Sequence, residues 1–285
     1  MTIKKLGIVG SGIMGSGIAE VAAKAGIDVV LRSRQQASAD GMVAALGKSL
    51  AKQVERGKLE ETAAKEISGR VTATDDLQAL ADADLVLESV VEDLAVKKEL
   101  FQQLDGIVKD DGILATNTST LPVVELAMTT GRPEQVVGIH FFNPAPMMSL
   151  VEVIAPLTAS PATVAAAKEF ASGCGKDVVE VKDRAGFIVN ALLFPYLNNA
   201  VRMLEAGTAN RDDIDTAMKG GCNFPMGPLA LLDLVGLDTS LSILDALYDE
   251  FKDPNYAAMP LLRRMVAAGQ LGRKSGAGFF NYSKK

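Results

Sequence analysis

One histidine, His140, occurs in the 285 residues. That scarcity excludes a histidine-rich metal centre, and no metal is expected. Two cysteines, Cys174 and Cys222, stand far apart without C-x-x-C spacing, so both are expected to be structural. No uninterrupted apolar run approaches the roughly 18 residues of a membrane span, so no membrane partner is expected. Positive charge is scarce as well. Lys and Arg number 29 against 35 Asp and Glu, a formal net charge of −6, which argues against non-specific nucleic-acid binding. The opening Lys4-Lys5-Leu6-Gly7-Ile8-Val9 superficially resembles a signal peptide, but glycines crowd its apolar part and Glu20 and Lys24 follow in a helical pattern. A strand, turn and helix are expected there, in a cytoplasmic protein. The 48% hydrophobic and 22% charged composition is that of a globular chain.

In the first half, short β-branched runs alternate with helical patterns, which predicts a parallel sheet with crossover helices. Strands are expected at 6–9, 29–32, 85–88, 113–115, 136–141 and 151–154, with one more at 176–181. Several are apolar throughout, as strands covered on both faces are. Helices are expected at 13–25 and 37–56, with 59–67 folding back as an insertion. After Asp183 only helices are expected, at 187–206, 212–219, 228–251 and 261–268. The predicted fold is α/β: a doubly wound, Rossmann-type sheet in residues 1–184 and an all-α domain in 185–285.

Gly10-Ser11-Gly12-Ile13-Met14-Gly15 forms G-x-G-x-x-G between the first strand and the first helix. Gly10 permits the tight turn, Gly12 admits a pyrophosphate against the backbone, and Gly15 lets helix and strand pack closely. The helix's free N–H groups and positive dipole end then face the anion, so a dinucleotide is expected here. At the end of the second strand, NAD-binding chains usually carry an acid for the ribose 2′-hydroxyl. Here the residues are Leu31-Arg32-Ser33-Arg34, and the next carboxylate along the chain is Asp40. Ser33 removes a charge that would repel a 2′-phosphate, and Arg34 can pair with one bidentately. Arg32 is expected to alternate to the other side of the strand, with a contribution to the same site as the alternative. NADP(H) is therefore the preferred cofactor, with NAD(H) the alternative if both arginines are merely solvated.

His140 closes a strand within Gly138-Ile139-His140-Phe141-Phe142-Asn143-Pro144, at the sheet end where open parallel sheets bind ligands. Glu152 lies among apolar residues on the next strand and needs a partner. The imidazole is a natural one, since a carboxylate would hold its tautomer and stabilise its cation. The bland alternative is a satisfied core histidine.

These segments together resemble the 3-hydroxyacyl-CoA dehydrogenase family, particularly its short 3-hydroxybutyryl-CoA dehydrogenases, over essentially the whole chain. The matching motifs are Asn117-Thr118-Ser119-Thr120, the His140–Pro144 run, Val151-Glu152, Asp183-Arg184-Ala185-Gly186-Phe187-Ile188-Val189-Asn190, Phe224-Pro225-Met226-Gly227-Pro228 and Gly272-Arg273-Lys274-Ser275-Gly276-Ala277-Gly278-Phe279. The resemblance implies a His140/Glu152 catalytic dyad, with Ser119 and Asn190 binding the substrate's 3-oxygen and holding the histidine. It implies cofactor contacts at Glu92, Lys97, Asn117, Ser119, Asn143 and Lys274. Read alone, Glu92 and Lys97 would be a first-turn acid and a solvated charge, and Lys274 part of a flexible glycine-rich tail. It further implies that Lys48 and Lys52, four apart on one helix face, contact coenzyme A, and that the chain forms a homodimer through its helical domain. Two positions depart from the family: aspartate is usual at Ser33, and arginine is common at Ala191. The expected activity is interconversion of 3-hydroxyacyl-CoA and 3-oxoacyl-CoA with a nicotinamide cofactor. The alternatives are a relative acting on free hydroxy or sugar acids, and a catalytically silent NADP(H)-binding sensor.

Overall fold

Strand β1 (Lys5–Val9) runs directly into the glycine turn and helix α1 (Ile13–Lys24), which returns the chain to β2 (Asp28–Arg32). The computed structural model describes residues 2–282. Helix α2 (Gln36–Glu55) buries Ala39, Met42, Leu46 and Leu50 on one stripe, and α3 (Glu61–Gly69) packs back against it before β3 (Val71–Thr74). The three- and four-residue spacing of that stripe leaves Lys48 and Lys52 on the exposed face. The polar side of α1 is joined to α2 by buried Glu20, whose carboxylate accepts hydrogen bonds from Lys24, Ser49 and Gln53.

The chain then crosses to β4 (Leu85–Glu88), α4 (Leu94–Asp105), β5 (Ile113–Thr116), α5 (Val123–Ala127), β6 (Val136–Phe141), β7 (Leu150–Ala155), α6 (Pro161–Gly173) and β8 (Asp177–Lys182). The eight strands form one sheet in the order β3-β2-β1-β4-β5-β6-β7-β8. The winding direction reverses between β1 and β4, the switch point where such sheets bind ligands. Every residue of β4, β5 and β6 is buried, as their apolar runs predict.

Three features differ from the sequence expectation. β3 was not anticipated: its Val-Thr-Ala-Thr run is short, half-exposed and at the sheet edge, so it shows no apolar signature. β7 runs antiparallel to β6. The loop between them is too short for the dozen or more residues a parallel crossover needs. The single helix expected at 228–251 is two, broken at Gly236, whose φ of 103° no helix accommodates.

The chain divides into two compact units, Met1–Asp183 and Arg184–Lys285. The second contains α7 (Val189–Glu205), α8 (Arg211–Cys222), α9 (Pro228–Val235), α10 (Leu237–Phe251) and α11 (Pro260–Ala267), around Phe194, Leu197, Leu229, Leu232, Leu244, Leu247 and Leu262. Asp215 of α8 accepts hydrogen bonds from the Leu229 and Ala230 N–H groups at the start of α9. A Cβ on Gly227 would fall 2.2 Å from the Asp215 Cγ, which explains the glycine before Pro228. Among the described residues no helix is long and apolar enough to cross a membrane, and no group of His, Cys, Asp and Glu could hold a metal ion.

Candidate active site

Two regions at the carboxyl ends of the strands hold most of the residues singled out from the sequence. The first is the glycine turn. At Gly10 a Cβ would sit 2.2 Å from the Ser89 carbonyl oxygen, and at Gly15 2.5 Å from that of Gly10. Gly12 instead faces open space, with no heavy atom within 4 Å of an added Cβ. Two glycines thus let backbones meet, while the third leaves the approach to α1 clear. The N-terminus of α1 has no side-chain cap and no acid in its first turn, so its N–H groups are available to an anion. The adjoining cleft, about 720 Å³, is lined by this turn, by Arg32, Ser33 and Arg34, and by the apolar side of Val91 and Val96. A groove with an anion-ready end and an apolar wall fits a dinucleotide. Val91 and Val96, exposed by 63% and 44%, supply that wall.

Around the end of β2 the structure refines the sequence expectation. Arg32 lines the same cleft as Arg34 rather than lying on the opposite side. Its Nε donates to the Asp75 carbonyl at 3.2 Å. Burial lowers its pKa, the neighbouring Arg34 lowers it too, and Asp75 and Asp76 counteract them. Those two carboxylates come from the end of β3, so missing that strand hid them. Ser33 is 5% exposed and its N–H donates to the Thr74 carbonyl.

The second region is built across β5, β6 and β7. His140 and Glu152 are directly opposite each other in the antiparallel β6–β7 ladder. Their side chains meet on one face: His140 Nδ1 lies 2.8 Å from Glu152 Oε2, and both residues are buried. On the imidazole's other side, Ser119 Oγ is 3.1 Å from Nε2. Phe142 packs on the ring with centroids 4.5 Å apart. With Glu152 a carboxylate, Nδ1 carries a proton that it donates there, so the neutral ring keeps its lone pair on Nε2. The arrangement Ser119–His140–Glu152 can therefore accept or release a proton at Nε2.

Ser119 is held in place by its neighbours. The Asn117 N–H donates to the Glu88 carbonyl, while Asn117 Oδ1 accepts the Phe141 N–H at 2.8 Å, tying this turn to the end of β6. Glu92 accepts from the Ser119 N–H at 2.9 Å, the Thr120 N–H at 3.2 Å and the Thr118 hydroxyl. Glu92 precedes α4, whose N-cap is Asp93. Burial pushes the Glu92 carboxyl up, but Lys97 and the bonds from Thr118 and Ser119 prevail, leaving its pKa below the ordinary value. Lys97 is no solvated charge: it is 1% exposed, with Nζ 2.6 Å from Glu88 and 3.3 Å from Glu92. Sequence reasoning missed Glu88, although a lone acid closing the apolar run Leu85-Val86-Leu87 is a signal that a buried partner exists. Asn143 is exposed and precedes Pro144 through a cis peptide bond.

The remaining expected site residues belong to the second unit. Asn190 is buried near the start of α7. Lys274 is not in a loose tail. Its turn, Arg273–Ser275, is a short 3-10 helix, and its Nζ pairs with Asp238 at 2.6 Å. The loop around it is clamped by buried Asp233, which accepts the Phe279 N–H, the Phe280 N–H and the Tyr282 hydroxyl. A Cβ on Gly278 would stand 2.0 Å from Asp233 Oδ1, and one on Gly272 2.4 Å from its carbonyl oxygen. The spaced glycines of this motif are thus demanded by Asp233.

Comparison with known proteins gives this site its family. Residues 5–184 match the NAD-binding domain of 3-hydroxyacyl-CoA dehydrogenase, and residues 186–282 match that enzyme's C-terminal domain. This chain belongs to the 3-hydroxyacyl-CoA dehydrogenase family. Among family members, a 3-hydroxybutyryl-CoA dehydrogenase of Mycobacterium tuberculosis is 50% identical over 282 residues, covering 98% of this chain and 99% of the relative. Another from Clostridioides difficile is 48% identical over 280 residues, covering 98% and 100%. The crystal structure of (S)-3-hydroxybutyryl-CoA dehydrogenase from Ralstonia eutropha superposes with a TM-score of 0.97 at 42% identity, covering 99% of this chain and 100% of that one. As a 3-hydroxyacyl-CoA dehydrogenase family member the chain is a nicotinamide-dependent oxidoreductase, and its first unit is the dinucleotide-binding domain.

Proposed function

We propose that this chain interconverts (S)-3-hydroxybutyryl-CoA and acetoacetyl-CoA, with NADP(H) as the preferred hydride carrier and NAD(H) as the alternative. The observation that carries the reading is the Ser119–His140–Glu152 chain of contacts at 3.1 and 2.8 Å. The named activities of the relatives support the substrate class. Bound in this site, NADPH would supply the hydride for reduction and NADP+ would accept the C3 hydride in oxidation. In oxidation, His140 Nε2 takes the proton of the C3 hydroxyl as the C3 hydrogen departs and the carbonyl forms; in reduction it returns that proton. Glu152 holds the Nδ1 proton and stabilises the imidazolium, and the Ser119 hydroxyl and Asn190 amide donate to the developing oxyanion. Gly10, Gly12, Ile13, Met14 and Gly15 receive the pyrophosphate end of the cofactor. Asn117, Asn143, Glu92, Lys97 and Lys274 complete its site. Oxidation of NADPH dependent on acetoacetyl-CoA, with His140→Ala as control, tests this function. No turnover by the unaltered protein would overturn it.

Ser33 and Arg34 carry the cofactor preference. Position 33 carries no acid to repel a 2′-phosphate, and Arg34 with Arg32 lines the cleft. The double substitution Ser33→Asp/Arg34→Ile is expected to shift the NADPH-over-NADH ratio of kcat/KM about tenfold or more toward NADH, since a charged hydrogen bond contributes ~1.5–3 kcal/mol. An unchanged ratio would refute the assignment.

Lys48 and Lys52 are exposed on α2, and among the described residues neither is paired with a carboxylate. They are suited to the coenzyme A phosphates. Replacing both with alanine is expected to raise KM for acetoacetyl-CoA about five- to tenfold with kcat nearly unchanged, the signature of lost uniform binding. A fall in kcat at constant KM would contradict the role. The reading includes a cytoplasmic homodimer formed through the second unit, whose α7 presents Leu192 at 73% exposure.

A further inference from the structure

We infer that Glu88 is a positioning residue: through Lys97 and Glu92 it fixes the Ser119 turn against His140. The inference rests on the acid–base reading proposed above. Glu88 ends β4 with no exposed surface and stands in register with Thr116 of β5. Its Oε1 accepts the Val90 N–H and Lys97 Nζ, each at 2.6 Å, and its Oε2 accepts the Thr116 hydroxyl at 2.8 Å. Both carboxylate oxygens are thereby anchored to backbone and sheet.

Lys97 is on the buried face of α4, in line with Leu100, Phe101 and Leu104, where the helical period calls for an apolar residue. Its ammonium bridges two acids, Glu88 Oε1 and Glu92 Oε2. Glu92 divides its oxygens accordingly. Oε2 faces Lys97, while Oε1 gathers the Ser119 and Thr120 N–H groups and the Thr118 hydroxyl. A rigid line therefore runs from the sheet to the backbone of Ser119, whose hydroxyl meets His140.

Stability alone is a weak reason for this arrangement, because well-packed apolar residues commonly match or exceed a buried ion pair. What the line provides is one geometry. Glu92 is partly exposed; without the ammonium beside Oε2, only the bonds at Oε1 hold its carboxylate toward Ser119 against the pull of water. Misplacing a reacting group by about 1 Å can cost on the order of 10²-fold in rate.

Three variants test this: Glu88→Gln, Lys97→Met and the pair combined. Glu88→Gln keeps the volume and an acceptor for Thr116 but leaves Lys97 to pull on Glu92 alone. Lys97→Met leaves two acids facing each other. Each single change is expected to lower kcat about ten- to a hundredfold; in Glu88→Gln, which alters no residue of the proposed cofactor site, KM for NADPH is expected to stay within about twofold of the unaltered enzyme. The combined variant carries no misdirecting charge, and its kcat is expected to lie between the singles and the unaltered enzyme. If kcat is preserved while only the melting temperature falls, the line is structural and the inference fails. It fails also if Glu88→Gln raises KM for NADPH about tenfold at constant kcat, which would make the line a support of the cofactor site and not of the Ser119 turn. Should a single variant not fold, the combined one is read alone, and a kcat equal to that of the unaltered enzyme overturns the inference. Loss of activity in His140→Ala alongside normal Glu88→Gln activity would sink this inference and leave the acid–base reading standing. Absence of turnover in the unaltered protein would sink that reading itself.

Discussion

Replacing His140 with alanine is expected to lower kcat for acetoacetyl-CoA reduction by about 10²–10⁴-fold, the usual contribution of a positioned acid–base group. No other histidine exists to substitute for it. Dinucleotide affinity, followed by quenching of NADPH fluorescence or by calorimetry, should stay near its starting value, because the glycine turn is built from β1 and α1 and does not depend on the imidazole. Glu152→Gln is expected to be nearly as damaging for a different reason. The glutamine amide can donate to Nδ1, which would move the ring proton to Nε2 and leave that atom a donor. An imidazole so turned cannot take the hydroxyl proton. In serine hydrolases the equivalent carboxylate-to-amide change costs about 10⁴-fold by the same error of tautomer. Either variant retaining kcat within about fivefold of the unaltered protein would end the dyad assignment.

The largest effect on stability is expected at Asp233. Removing its carboxylate in Asp233→Ala strands two backbone N–H groups and the Tyr282 hydroxyl at a position only 1% exposed. Each buried donor left unmet costs about 1–3 kcal/mol, so a loss of at least ~3 kcal/mol is expected. For a unit of this size about 1 kcal/mol corresponds to roughly 4–8 °C, and scanning calorimetry should show the second unit's melting point falling by ~12 °C or more. Asp233→Asn keeps one acceptor oxygen and should fall by distinctly less. A change under about 3 °C for the alanine variant would mean that the terminal loop finds other partners.

Much of this was legible in the amino-acid sequence, and the parts that were not share a cause. Apolar strands and the glycine turn announce themselves locally, since what they require is within a few residues. His140 and Glu152 could be paired because each is an oddity in an apolar strand. β3 could not be found, being a half-exposed edge of four residues with no apolar run. Its absence from the expectation concealed Asp75 and Asp76 beside Arg32. Gly236 looked like an ordinary helical residue, because a positive φ leaves no mark in the neighbouring sequence; an added Cβ there would stand 3.1 Å from Asp238 and 3.2 Å from Lys274. The roles of Asp233 and Glu88 depend on partners that chain order does not suggest: Phe279 is 46 residues from Asp233, and Thr116 is 28 from Glu88. The burial of Lys97 was hidden for a simpler reason: lysine is so rarely buried that, read without the family resemblance, its place on an apolar stripe is outweighed by its charge.

The reversal of β7 has a consequence for how such a protein can change. His140 and Glu152 are a rung of a ladder, and the backbone hydrogen bonds of β6 and β7 set their spacing. The loop of residues 142–149 lies beyond that rung and exposes Met147 by 80%. Lengthening this loop beyond Phe142 and Asn143 would leave the spacing of that rung to the strands. The part of the loop beyond Asn143 is therefore the one that can be rebuilt while the rung and the Phe142 ring packed on His140 are left in place.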